Sequence, residues 1–191
     1  MDTPVASTPK VRSSGQLTAV LGVVVLVVAI IFITQAAYNS WYSGFKAVHV
    51  LAAIIWIGGG AFLTILGVAA ERKNDPVELA TIARQAATVG EKLFAPAGIV
   101  VVAMGIAMMV NTNLGWGKFW VIVGLIGYAI TFYIGIAVLS PLAKKVVAMT
   151  EEKGATHPET TALIQRILTI ARIDIAMLFL VVVDMIVKPF A

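Results

Sequence analysis

Five stretches of this chain run apolar for about 20 residues, the length that carries a helix across a bilayer. They cover about 17–37, 45–70, 93–110, 119–143 and 167–187. Inside hydrocarbon every backbone N–H and C=O must be satisfied within the protein, and for apolar runs of this length the solution is the helix. Composition agrees: 60% of the residues are hydrophobic and 13% charged, where soluble domains carry roughly 45–50% and 25%. The expected fold class is all-α, a five-helix transmembrane bundle set in the lipid bilayer of the cell membrane. Residues 1–15, rich in Ser, Thr and Pro, read as a disordered cytoplasmic tail, and residues 16–191 as a single transmembrane domain. The first apolar run exceeds the ~7–15 residues of a signal-peptide core, so a retained anchor is expected. Cysteine is absent and only two histidines occur, which excludes disulfides, thiolate metal sites and a three-histidine metal centre within one chain.

Charge sets the orientation. With the N-terminus inside, the inner segments hold Lys10, Arg12, Arg72, Lys73, Arg84, Lys92, Lys144, Lys145, Lys153 and Arg166, with Arg172 just inside the last span. Only Lys46, Lys118 and Lys188 fall outside, so N-in, C-out is expected. Basic residues dispersed between apolar runs are not a nucleic-acid patch. In the first inner loop, Asp75-Pro76-Val77-Glu78 predicts a helix start, with Asp75 as cap, Pro76 in the first turn and Glu78 reaching back. Residues 76–92 then form an amphipathic inner-surface helix, with Leu79, Ile82, Ala86 and Val89 turned to lipid or bundle. The stretch 146–165 reads as a solvated turn, and its His157 is given no role.

Ionisable groups within spans are costly, which makes them candidates for function. His49 lies in the second span, three residues after Lys46, and is followed by Trp56-Ile57-Gly58-Gly59-Gly60. It reads either as an interfacial histidine bonded to a backbone carbonyl or as an axial ligand to haem iron. The glycines admit a second backbone, or a flat ligand, at close range. Asp174, Met177, Val181, Asp184 and Lys188 line one face of the fifth span, with Arg172 near its inner end. This polar stripe predicts an Asp184–Lys188 pair at i+4 and a partner for Asp174 on another helix. It reads as structural pairing or as a proton path, whose two carboxylates stand ~15 Å apart. His49, Lys46, Lys118, Asp184 and Lys188 all fall towards the outer side, where a bundle can gather them in one pocket. Met104, Met108 and Met109 read as core fillers before copper(I) ligands.

Three stretches together resemble a known superfamily. Phe45-Lys46-Ala47-Val48-His49 through Trp56-Ile57-Gly58-Gly59 is similar to the K-x-x-H-x-x-x-x-x-x-W-x-x-G span of three groups. These are the HemJ-type protoporphyrinogen oxidases, the CopD membrane domains and a family of predicted integral membrane proteins of unknown function. The ending Val187-Lys188-Pro189-Phe190 and the Gly117-Lys118-Phe119-Trp120 that opens the fourth span are similar to the HemJ group. That resemblance implies b-type haem in the bundle, with His49 and Lys118 as the essential positions and Trp56, Gly58 and Gly59 beside the macrocycle. Gly60-Ala61-Phe62-Leu63-Thr64 stands where the HemJ group has a Y-L-P-R stretch, and the fourth span lacks that group's histidine pair. Those departures argue against porphyrinogen oxidation and make the family of predicted integral membrane proteins the nearest of the three groups, with haem binding and a redox role as what the superfamily resemblance implies. Two other readings stand beside it: a non-enzymatic accessory subunit or small carrier, as a homodimer or part of a larger membrane complex, and transport of a small cation or proton.

Overall fold

The computed structural model describes residues 15–190, so the expected N-terminal tail lies almost wholly outside them. The described chain is all-helical. Five helices follow in order: α1 (Gly15–Asn39), α2 (Trp41–Arg72), α3 (Pro76–Thr112), α4 (Phe119–Lys153) and α5 (Pro158–Val187). The first four are long and apolar enough to cross a membrane. The fifth expected span lies within α5, whose Arg172, Asp174 and Asp184 set it apart from the others. α1 packs on the start of α2, where a side chain at Gly44 would run into Ala37 at 2.8 Å. The remaining four helices form a ring: α2 against α3, α3 against α4, α4 against α5, and α5 back against α2.

The helices are longer than their apolar runs. At about 1.5 Å per residue, α2, α3 and α4, with 32, 37 and 35 residues, extend well past a ~30 Å hydrocarbon layer. The amphipathic segment of the first inner loop is therefore no separate surface helix. It begins where the sequence places it: the Asp75 side chain accepts from Val77 N at 3.1 Å and Glu78 N at 2.9 Å. It then runs directly on into the third span. Leu79, Ala80 and Ala83 face the bundle, packed with Ala70, Val146, Ile164 and Leu168 in a compact core at one end of the ring. Glu78 turns to Lys73, at 3.2 Å, instead of reaching back to its cap. Asp75→Ala is expected to cost about 1 kcal/mol, seen as a lower midpoint of denaturant unfolding in micelles; an unchanged midpoint would show that the cap contributes nothing to the folded state.

The expected solvated turn shrinks likewise to residues 154–157, closed by Gly154 at φ 92°. His157 does have a role there. Its Nδ1 accepts from Glu159 N at 3.3 Å and caps α5. Lys153 bonds to Glu159 across the turn at 2.6 Å and holds that carboxyl below the usual glutamate range. Ion pairs also tie the helices at this end: Arg84 to Glu151, Lys144 to Glu91, and Arg172 to Glu71.

Each of α2, α3 and α4 contains one π-turn, at Ile54–Gly58, Gly90–Phe94 and Ile134–Leu139. The causes are local. A helical proline clashes with the carbonyl four residues earlier; for Pro96 and Pro141 those carbonyls belong to Lys92 and Ala137, inside the two later π-turns. Widening the helix there makes room. In α2 the run Gly58-Gly59-Gly60 weakens the helix instead. The three π-turns meet at one level of the bundle, and single π-turns of this kind recur at functional sites.

Candidate functional site

At that level the helices line a cavity of about 440 Å³ that is open on one side, where Glu91 and Lys144 are exposed. Its wall comes from all three π-turns and from α5: Trp56 and Gly60, Glu91 and Phe94, Phe132 and Gly135, and Asp174. Most of the wall is hydrocarbon and ring. Asp174 is only 8% exposed, and its Oδ1 has no hydrogen-bond partner. The other two charged wall residues neutralise each other, with Lys144 Nζ 2.7 Å from Glu91 Oε2. Thr64 is committed as well, its hydroxyl donating to Gly60 O at 2.9 Å. The cavity thus presents one unpaired carboxylate within an apolar chamber.

The wall is stiffened by an aromatic cluster. Trp56 meets Tyr128 and Phe132 edge-on at 5.5 and 5.9 Å, while Tyr128 and Phe132 stack at 5.3 Å. Tyr128 Oη donates to Gly98 O at 3.1 Å. A side chain at Gly98 would lie 2.6 Å from Phe132 and 3.6 Å from Trp56. One at Gly59 would collide with the Phe94 ring at 2.7 Å. Of the three glycines that follow Trp56, Gly59 makes room for the Phe94 ring, Gly60 lies against Ile175, and Gly58 meets no atom within 4 Å.

His49 lies elsewhere. It is half-buried between α2 and α3, with Nδ1 2.7 Å from Val101 O, and Gly105 leaves room for its ring. This is the carbonyl-bonded geometry, and His49 does not line the cavity. Lys118 opens α4, where its backbone carbonyl accepts from Val121 N and Ile122 N. Among the described residues no hydrogen bond or ion pair joins it to His49, and no three His, Cys, Asp or Glu gather at a metal-binding distance. The residues do not fit a porphyrin. The slot expected beside Trp56 is filled at Gly59 and Gly98 by the rings of Phe94 and Phe132, and the cavity that exists has no histidine in its wall.

The polar stripe of α5 divides. The expected Asp184–Lys188 pair is not formed, because Lys188 adopts φ 49° as it closes the helix and its ammonium sits 5.2 Å over the Trp120 ring. Asp184 Oδ2 and Trp120 Nε1 are both buried without a partner. A side chain at Gly124 would stand 3.5 Å from that Oδ2. Arg172 pairs with Glu71 of α2, a partner that the α5 pattern alone does not reveal. Asp174 lacks the partner expected from another helix. Between the two carboxylates lie Leu178, 3% exposed, and Val181, seated against Gly127, so no polar side chain of α5 connects them. The outer-side residues are not gathered in one pocket: His49 sits at the α2–α3 contact, and Asp184 and Lys188 at the α4–α5 contact.

An all-helical bundle with membrane-length apolar helices defines an integral membrane protein. The chain belongs to the family described as "Predicted integral membrane protein (DUF2269)", which it matches over residues 44–189. Nothing ties it to the HemJ and CopD groups in particular. No curated protein and no solved structure matches it.

Proposed function

We propose that this protein is a non-enzymatic, membrane-embedded binding protein or carrier, whose ligand is a small and mostly apolar molecule held over Asp174. The observation that carries this reading is the ~440 Å³ chamber containing an unpaired carboxylate that is 8% exposed. That volume lies within the ~300–1,000 Å³ of small-molecule sites, whose walls are apolar with a few polar groups that fix orientation. It is far larger than a proton or bare cation requires. In this reading all five helices cross the cell membrane with the N-terminus in the cytoplasm. The bias of basic residues towards one side, Arg84, Lys144 and Arg172 among them, supports that orientation.

The test is whether the chamber retains something when it is filled from within. Gly135 lines it, and a Cβ there meets no atom within 4 Å. Gly135→Leu therefore adds bulk to the wall from a Cβ that has room. Wild-type protein purified in mild detergent is expected to carry a small molecule, identified by native mass spectrometry, whose occupancy falls about tenfold (~1.4 kcal/mol) in Gly135→Leu. Identical bound species in both proteins would reject the chamber as the binding site.

A further inference from the structure

Resting on that reading, we infer that the ligand is a small organic monocation, an ammonium group on an aromatic or hydrocarbon body. Three charged side chains reach the chamber, and two of them, Glu91 and Lys144, cancel at 2.7 Å. What remains is the single negative charge of Asp174, with Oδ1 facing no donor among the described residues. An isolated carboxylate in so apolar a setting is costly unless a positive group or a proton meets it. A ligand ammonium supplies both the charge and the donor, and charge-assisted hydrogen bonds of this kind are the strong ones. The rest of the wall suits the same ligand. Trp56, Phe94 and Phe132 border the chamber, and aromatic faces attract cations, most strongly where water is excluded. An anion meets the wrong sign. A bare metal ion finds one carboxylate and no further cluster of ligating side chains among the described residues.

The experiment compares two probes of nearly equal shape, naphthylmethylamine, protonated at neutral pH, and its uncharged isostere naphthylmethanol. Each is equilibrated with wild-type protein in lipid nanodiscs, and binding to empty discs is subtracted. Wild type is expected to bind the amine at least about tenfold more tightly than the alcohol. Asp174→Asn should remove that preference while leaving alcohol binding in place, and Asp174→Glu should restore much of it. Gly135→Leu should weaken both probes. Equal binding of amine and alcohol by wild type overturns the cationic ligand but leaves the chamber as a binding site. A preference that survives Asp174→Asn overturns the role of this carboxylate. If neither probe binds above the empty discs, the inference fails, and a null result in the co-purification experiment as well shows that the chamber reading fails with it.

Discussion

Gly98→Leu is expected to destabilise the bundle by about 1–3 kcal/mol, the range for forcing added bulk into a packed core, while Gly135→Leu leaves the unfolding midpoint unchanged or raised. The two glycines share a chemistry and differ in what surrounds them. A Cβ at Gly98 enters the space of Phe132 at 2.6 and 2.9 Å and approaches Trp56 at 3.6 Å. Those rings cannot retreat singly, since Phe132 stacks on Tyr128 at 5.3 Å and Tyr128 is bonded back to the Gly98 carbonyl at 3.1 Å. Helices in lipid gain little from the hydrophobic effect and associate through close packing and interhelical bonds. Loss of fit at this level therefore loosens the packing of α2, α3 and α4 around the aromatic cluster, while the core at the other end of the ring is untouched. At Gly135 nothing lies within 4 Å, and leucine also has the higher helix propensity. The comparison is read from detergent-titrated unfolding of both variants in mixed micelles. Equal midpoints for the two would mean that the aromatic cluster does not fix the helix spacing.

The same contrast shows what was legible in the sequence. A glycine row states that a Cβ is excluded and is silent on what excludes it. Gly58-Gly59-Gly60 thus read as a slot for a flat ligand, yet the atoms that cover Gly59 belong to Phe94, on another helix and far along the chain. Apolar length gave the helices themselves, because that signal is local. Helix ends were less legible: Asp75 marked a true start, but nothing in residues 76–92 announced that the helix continues without a break. Pro96 and Pro141 carried the signal for two π-turns, and only their meeting at one level makes a chamber, which is a property of three helices at once. The i+4 rule for Asp184 and Lys188 failed because it assumes helical geometry at both positions, and Lys188 has already turned left-handed. Asp174 was legible as a candidate by its cost alone. Its surroundings were not.

Asp174→Leu is expected to stabilise the protein by about 1–3 kcal/mol, the cost of a buried polar group left without its partner, while abolishing preference for a cationic ligand. Leucine is close to aspartate in shape, and its neighbours in the chamber, among them Ile175, Leu178 and Phe132, are apolar. The substitution removes an acceptor that has no donor and gives up no bond that the folded chain makes through Oδ1. A carboxylate kept at such a cost suits a binding site, where a ligand supplies the missing partner, and stability is commonly traded for function at such positions. Arg172, two residues earlier, predicts the opposite sign. Its guanidinium is paired with Glu71 across the α2–α5 contact, so Arg172→Leu strands a half-buried carboxylate and lowers stability. Unfolding midpoints of the two variants, measured without added ligand, separate the roles. If Asp174→Leu lowers the midpoint as Arg172→Leu does, the carboxylate is a strut of the bundle, and the chamber loses the one group that makes it selective.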